Sequence, residues 1–242
     1  MAKLVQKSGY IKSGKASGYM RYIATREGVE KLAGNGAVTK GQRELIQKLL
    51  TDFPDAVELF EYEDYCKTPT LGTASAFISM ALDANFHEMD SESGYMQYIA
   101  TRPRVQKRGA HGLFSSATAV DLTSAMSELE AHEGNVWTII YSLRREDAAR
   151  LEYNNADAWR ALLMENAPTL AKSMKISLDN FHWCAAFHDE GHHPHIHMMV
   201  WSADPKQGFL TEKGIEKMRS QLSNEIFRDE LLSLYQQKDL SY

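Results

Sequence analysis

The sequence predicts an α+β protein in which helices flank a central antiparallel β-sheet. Short runs rich in β-branched and aromatic residues, typical of strands, alternate with longer stretches of helical period. Two of these runs, 180–188 and 195–202, are separated by a loop of only six residues, and so short a connection predicts an antiparallel hairpin. The content of 43% hydrophobic and 24% charged residues is that of an ordinary folded protein.

The remaining elements follow from the same patterns. The predicted strands are residues 3–11, 135–143, 180–188 and 195–202. Helices are predicted between the second and third strands, and Pro168 is expected to open the second of these helices because proline is favoured in a first turn. Residues 211–235 predict a long amphipathic helix. Its apolar positions are Ile215, Met218, Leu222, Ile226, Leu231 and Leu234.

Residues 33–92 predict a helical insertion in a single domain that spans 1–242. Its helices are expected at 39–51, near 55–66 and near 73–89. Thr39 is the expected N-cap of the first helix, since a threonine side chain can accept from the free amides of a helix start. Ten acidic residues and one lysine give residues 49–92 a net charge of −9, so we expect their acidic face in solvent.

Charge and composition exclude some function classes. The formal net charge of −5 argues against a uniformly basic nucleic-acid binder, but residues 1–48 carry +7 and residues 93–111 carry +4. Such basic segments are typical either of solvated surfaces or of contacts with a polyanion. No stretch approaches the roughly 18 apolar residues of a membrane span. Two cysteines give no disulfide framework, and a cytoplasmic location is expected.

One segment occurs twice. The stretch SGYMRYIATREGVEK at 17–31 returns as SGYMQYIATRPRVQK at 93–107, with most positions identical. Tyrosines three residues apart, which share a helical face, occur in both copies. They are Tyr19 and Tyr22 in the first copy, and Tyr95 and Tyr98 in the second. Aromatic core packing is the alternative interpretation of such pairs.

The hairpin carries the most distinctive motif, HDEGHHPHIHMMVW at 188–201, which holds five of the nine histidines. His195 and His197 lie two apart, so on a strand their side chains point to one face. His188 ends the preceding strand, and antiparallel pairing would bring the three imidazoles together as an open divalent-metal site. His192 and His193 lie in the loop and are left for contacts with a substrate.

The opposite face of the second hairpin strand carries Ile196, Met198 and Val200, which suits a surface that faces a core. The histidine pattern alone does not choose the metal or the reaction, because three-histidine zinc hydratases and hydrolases fit it as well.

The spacing His188-x6-His195-x-His197, with Pro194 before the pair, resembles the metal motif of HUH endonucleases. More narrowly it resembles that of the relaxases of mobilisable and conjugative plasmids. The stretch YMRYIATRE resembles the tyrosine motif of the MobP-type relaxases. The doubled YIATR followed by GLFS is similar to the MobL-type members.

This resemblance implies roles for individual residues. Tyr22 matches the family's nucleophile and Tyr98 matches the same pattern in the second copy, with Tyr22 preferred because it follows the first predicted strand. The three motif histidines match the ligands of a divalent metal, Mn²⁺ or Mg²⁺, with Zn²⁺ as the alternative. Glu190 matches an acidic position that orients an imidazole, with Asp189 as second choice. Trp201 stands where some members have a polar residue.

The implied activity is metal-dependent, strand-specific nicking through a 5′-phosphotyrosyl intermediate that can later rejoin the strand. The implied partners are single-stranded or hairpin DNA at an origin of transfer, together with accessory relaxosome proteins. The acidic segment 49–92 is expected to lie away from the DNA groove. The expected DNA contacts are Lys7, Lys12, Lys15, Arg21, Arg26, Arg102, Arg104, Lys107 and Arg108.

Three other functions remain open from the sequence. A rolling-circle replication initiator would share the chemistry, although such proteins often place the tyrosine after the histidines. A three-histidine zinc hydrolase would need no tyrosine. A DNA-binding module without catalytic activity would use the histidines for structural zinc and would depend on the metal for folding.

Overall fold

The protein is described from a computed structural model, which covers residues 3–10, 35–85, 92–101, 105–107, 109–117, 119–189, 193–228 and 230. Within these residues five strands form one antiparallel sheet in the order β1-β3-β5-β4-β2. The strands are β1 (Val5–Tyr10), β2 (Leu113–Phe114), β3 (Trp137–Ser142), β4 (Phe181–His188) and β5 (His195–Ser202). The predicted α+β class and the four predicted strands are confirmed. The two-residue strand β2 was not predicted, because it is too short to show any alternation.

The α-helices are α1 (Lys40–Asp52), α2 (Phe60–Lys67), α3 (Leu71–Ala84), α4 (Glu92–Thr101), α5 (Leu122–Glu130), α6 (Arg145–Arg150), α7 (Ala156–Ser173) and α8 (Glu212–Ile226). Thr39 caps α1 as predicted, in a capping box in which its hydroxyl accepts from the amide of Gln42. The helix expected near 55–66 is divided into a 3₁₀ turn, Pro54–Glu58, and α2. None of the described helices is long and apolar enough to cross a membrane.

Both faces of the sheet are buried, and alternate residues of β5 point to opposite faces. His197 and Met199 point to the face covered by α1, α3, α4 and α5. Ile196, Met198 and Val200 point to the opposite face and into a core, as the sequence predicted, and α7 and α8 cover that face. Helices α1 and α3, which lie within residues 33–92, therefore pack over the same face of the sheet that carries the histidines.

The prediction for Pro168 is wrong. The helix begins at Ala156, where the side chain of Asn155 accepts from the amide of Ala158 at 2.9 Å, and Pro168 lies inside it. Proline inside a helix removes the hydrogen bond to the carbonyl four residues earlier. Pro168 is exposed, so water can bind the carbonyl of Met164, which receives no hydrogen bond from the proline nitrogen.

Helix α8 ends at Ile226 in the structure, whereas the sequence predicted a helix over residues 211–235. Met218, Leu222 and Ile226 of α8 are buried as predicted, and Ile215 is half-buried. Leu231 and Leu234 lie outside the described residues.

Candidate metal centre

Antiparallel pairing of β4 and β5 brings the three motif histidines together at the loop end of the hairpin. His188 lies directly opposite His195, and Ala186 lies opposite His197, so all three imidazoles share one face. Their ring centroids are 4.6 to 5.3 Å apart. All three side chains are buried, with exposed fractions of 0 to 1%. Each offers a ring nitrogen, and these three nitrogens lie within 4.8 Å of one another.

Backbone carbonyls orient two of the three imidazoles. Nε2–H of His188 donates to the carbonyl oxygen of Ile99 at 3.0 Å, which leaves Nδ1 as the nitrogen with a lone pair. Nδ1–H of His195 donates to the carbonyl oxygen of His193 at 3.0 Å, which leaves Nε2. A hydrogen bond to the second ring nitrogen is how proteins commonly fix the tautomer of a metal-binding histidine. No sequence signal could reveal these partners, because every residue has a carbonyl.

This donor set fits a divalent cation. Neutral imidazole suits Zn²⁺ and related transition-metal ions, and three protein ligands leave positions for water or a substrate. Among the described residues, His188, His195 and His197 form the group whose ligand atoms converge in this way. The arrangement is therefore compatible with an open metal site.

The second copy of the repeated segment lies against this cluster. Its residues up to Thr101 belong to α4, and the carbonyl of Ile99 in that helix is the one that His188 contacts. The chain then bridges to His188 at Val105, and the amide of Gln106 donates to the carbonyl of Phe187 at 2.9 Å. The backbone of Tyr98 is therefore adjacent to a residue that contacts the cluster.

The repeated segment holds four tyrosines, two in each copy. The side chains of Tyr95 and Tyr98 lie outside the described part of the chain, as does the whole first copy with Tyr19 and Tyr22.

The loop before His195 differs from expectation. His193 is not left for a substrate: its side chain is 4% exposed, and its Nε2 lies 2.8 Å from Oδ2 of Asp64. Its ring stacks on Phe60, with centroids 5.2 Å apart. Asp64 and Phe60 belong to α2, so this helix of the acidic segment packs against the loop that leads to His195. Long-range packing places α2 beside the loop. The sequence could not indicate the contact of Asp64 with His193, because Asp64 is one of many acidic residues in that segment. His192 lies outside the described residues.

The Asp64 carboxylate is stabilised in its charged form. Partial burial raises the pKa of this carboxyl, but the hydrogen bond from His193 and the charge of Arg144 outweigh that effect, and the pKa lies below its ordinary value. Arg144 donates from both terminal nitrogens to Oδ1 of Asp64 at 3.2 Å.

The predicted acidic partner of the histidines is not found among the described residues. Glu190 lies outside them. Asp189, the second choice, pairs with Arg145 at 2.6 Å and is exposed, so its described partner is a surface cation and not an imidazole. Trp201 lies at the other end of β5, where its indole N–H donates to Glu128 at 2.8 Å.

Two of the predicted DNA contacts can be placed. Lys107 is exposed and follows the residues that pair with the end of β4. Lys7 is instead buried, with a side chain that is 4% exposed and bonded to Asp55 at 3.0 Å, so the prediction of an open DNA contact is wrong for it. It lies in the middle of β1, opposite Ile140, on the face that α1 and α3 cover. The predicted contacts that lie outside the described residues are Lys12, Lys15, Arg21, Arg26, Arg102, Arg104 and Arg108.

Comparison with known proteins gives one match. The family model of the MobL relaxases matches residues 1–242. No curated protein and no solved structure matches the chain.

Proposed function

The chain belongs to the MobL relaxase family, and from that membership we propose that it nicks one strand of plasmid DNA at an origin of transfer by HUH-type tyrosine chemistry. The observation that carries the proposal is the group of three buried imidazoles at the end of the β4–β5 hairpin, with their nitrogens within 4.8 Å of one another. Helix α4, which contains Tyr98–Thr101 of the second YIATR copy, contacts this group through Ile99.

His188, His195 and His197 would hold one divalent cation, Mn²⁺ or Mg²⁺, with Zn²⁺ as the alternative. When bound, such a cation supplies Lewis-acid stabilisation to the oxygens of a phosphodiester. The protein's own part is to keep three neutral imidazoles in place before DNA binds. Burial and the carbonyl partners of His188 and His195 support this role.

The proposed reaction is a transesterification. The phenol oxygen of a tyrosine attacks the phosphorus, an O–P bond to the tyrosine forms, and the bond from phosphorus to the 3′ oxygen breaks. The phenol proton goes to water or a nearby base, and the leaving oxygen takes up a proton to become a 3′-hydroxyl. The number of phosphoester bonds is unchanged, so the reverse reaction rejoins the strand without ATP.

Tyr22 and Tyr98 are the two candidates for the nucleophile. Tyr22 is supported by its place after the first strand, the order that the family resemblance implies. Tyr98 is supported by the position of α4, since the next residue along the chain bonds to His188. The proposal therefore includes both tyrosines, and their separate substitution decides between them.

The DNA path is proposed to follow the basic residues of the two repeat copies. Exposed Lys107, beside the end of β4, supports a path that begins at the metal centre. Cationic side chains bind the phosphates of a single strand regardless of its sequence. Glu190 remains a proposed contact that orients one of the imidazoles, and accessory relaxosome proteins remain proposed partners.

The test is a covalent adduct. The protein is incubated with Mn²⁺ and a labelled pool of single-stranded oligonucleotides, and denaturing electrophoresis detects protein joined to DNA. We expect an adduct with the unsubstituted chain, and none after His195→Ala or after removal of the metal with a chelator. Sequencing of the joined DNA then identifies the site of nicking.

Single Tyr22→Phe and Tyr98→Phe variants assign the nucleophile, because phenylalanine removes only the reacting oxygen. Tyr10→Phe is the matched control, since Tyr10 is an exposed tyrosine of β1 outside both copies. We expect it to form the adduct normally. An adduct that persists in the Tyr22→Phe, Tyr98→Phe double variant would contradict the proposed chemistry.

A further inference from the structure

The orientation of His195 depends on the residue two places before it. Nδ1–H of His195 donates to the carbonyl oxygen of His193 at 3.0 Å, in a buried position. A shift of the backbone at His193 would therefore rotate or release the imidazole of His195. The neighbouring Pro194 carbonyl accepts from the amide of Leu143 at 3.2 Å, so the loop is also tied to the strand beside it.

The side chain of His193 is held in turn by the insertion. Oδ2 of Asp64 in α2 lies 2.8 Å from Nε2 of His193, and the ring of Phe60 lies almost parallel to the imidazole at an interplanar angle of 23°. The side chain of His193 is 4% exposed and that of Asp64 is 30% exposed, so this bond is partly shielded from water. Such shielding strengthens a hydrogen bond to a charged group.

Asp64 is itself fixed by Arg144, which follows the end of β3. Two guanidinium nitrogens contact Oδ1 at 3.2 Å, and the guanidinium lies 4.8 Å from the centre of the Phe60 ring. The two oxygens of Asp64 thus have different tasks: one contacts the sheet through Arg144, and the other contacts the hairpin loop through His193.

We propose that Asp64, acting through His193, is a positioning residue for the metal centre, so that helix α2 of the acidic insertion sets the orientation of the ligand His195. The inference rests on the proposed metal site and adds a task for the insertion. It predicts that a carboxylate outside the histidine motif controls how tightly the motif binds a cation.

The experiment measures Co²⁺ binding to the full chain by titration calorimetry and by the visible absorption of the bound ion, which reports its coordination geometry. The variants are Asp64→Ala and His193→Phe, the second of which keeps an aromatic ring against Phe60 but removes the donor. Each is expected to lower the affinity roughly tenfold, at the lower end of the range for residues that orient metal ligands, and to alter the spectrum.

The double variant separates positioning from general destabilisation. Because both substitutions break one link, Asp64→Ala with His193→Phe should lower the affinity no further than either alone. Glu63→Gln is the matched control: Glu63 is the neighbouring carboxylate of α2 and also contacts Arg144, at 3.2 Å. It should leave the affinity and the spectrum unchanged. Asp64→Asn, nearly equal in size, replaces the alanine variant if that chain does not fold.

Unchanged Co²⁺ affinity and spectrum in folded Asp64 and His193 variants would overturn the inference and leave the metal site standing. The inference would also be overturned if the affinity losses of the two single variants multiplied in the double variant. An equal loss of Co²⁺ affinity in Glu63→Gln would overturn it as well. A chain without substitutions that binds no Co²⁺ would overturn the metal site itself, and this inference with it.

Discussion

The two ends of the β4–β5 hairpin carry histidines on the same face of the same sheet, yet their surroundings differ. At the loop end, His188 lies opposite His195 with both side chains buried, and their described hydrogen bonds go to backbone carbonyls. At the open end, His182 lies opposite Trp201, and its Nδ1 lies 2.9 Å from Oε1 of Glu128. The side chain of His182 is 39% exposed and that of Glu128 is 48% exposed.

This difference shows what separates a candidate ligand from a surface histidine. A carboxylate at the surface forms an ion pair with a single imidazole and is screened by water. Buried carbonyls instead fix which nitrogen of each ring carries its hydrogen, so the remaining nitrogens can face a common point. Burial and neutral partners, more than the residue type, distinguish the two ends.

The largest effect is expected from removal of a ligand at the loop end. His197→Ala should lower Mn²⁺ affinity by more than about 100-fold, beyond the losses typical of residues that only orient ligands. The measurement compares the free energy of unfolding with and without Mn²⁺. At an Mn²⁺ concentration 100 times the dissociation constant, the ion should stabilise the unsubstituted chain by about 2.7 kcal/mol. The same concentration should stabilise the His197→Ala chain much less. His182→Ala is the control and should retain the full stabilisation. Equal Mn²⁺ stabilisation in both variants would remove the distinction between the two ends.

A smaller effect is expected from a change beside the ligands. Ala186 lies opposite His197 and is fully buried, so Ala186→Val should crowd the centre and lower the free energy of unfolding by about 1–3 kcal/mol. Ala185→Val is the matched control, since Ala185 is equally buried but points to the other face. Both should lose stability, and Ala186→Val alone should also weaken Mn²⁺ binding. Calorimetric titration of both variants tests this, and equal affinities would contradict it.

The smallest effect is expected at the open end. His182→Ala removes a half-exposed pair with Glu128, and such pairs typically contribute about 0.2–1 kcal/mol. Urea unfolding measures it in low and high salt at about pH 5, where imidazoles are generally protonated. The difference from the unsubstituted chain should shrink as salt rises. A loss of several kcal/mol that does not depend on salt would show that this end is as tightly organised as the loop end.

The centre of the sheet could be predicted from the sequence because its signals are local. The two-residue spacing of His195 and His197 and the short loop to His188 determine which face the rings share, and the structure confirms this convergence. The cap at Thr39 was predictable for the same reason, since its partner is Gln42, three residues away.

The contacts from distant segments could not be predicted. Asp64 reaches His193 across 129 positions of chain, and nothing in the composition of the acidic segment distinguishes it from its neighbours. Buried Lys7 was misjudged because its charge suggested exposure, while its position on the sheet gives it a partner in Asp55. Pro168 was misplaced because its exposed position lowers the penalty that usually keeps proline out of a helix interior.

Strand β5 is hydrogen-bonded along both of its edges, to β3 on one side and to β4 on the other. Amide protons of such a strand exchange with solvent only when a large part of the sheet opens. His195 and His197 are therefore carried by one of the slowest-exchanging segments, and an arriving ion meets a preorganised chelate. Little backbone ordering then remains to offset the free energy of binding.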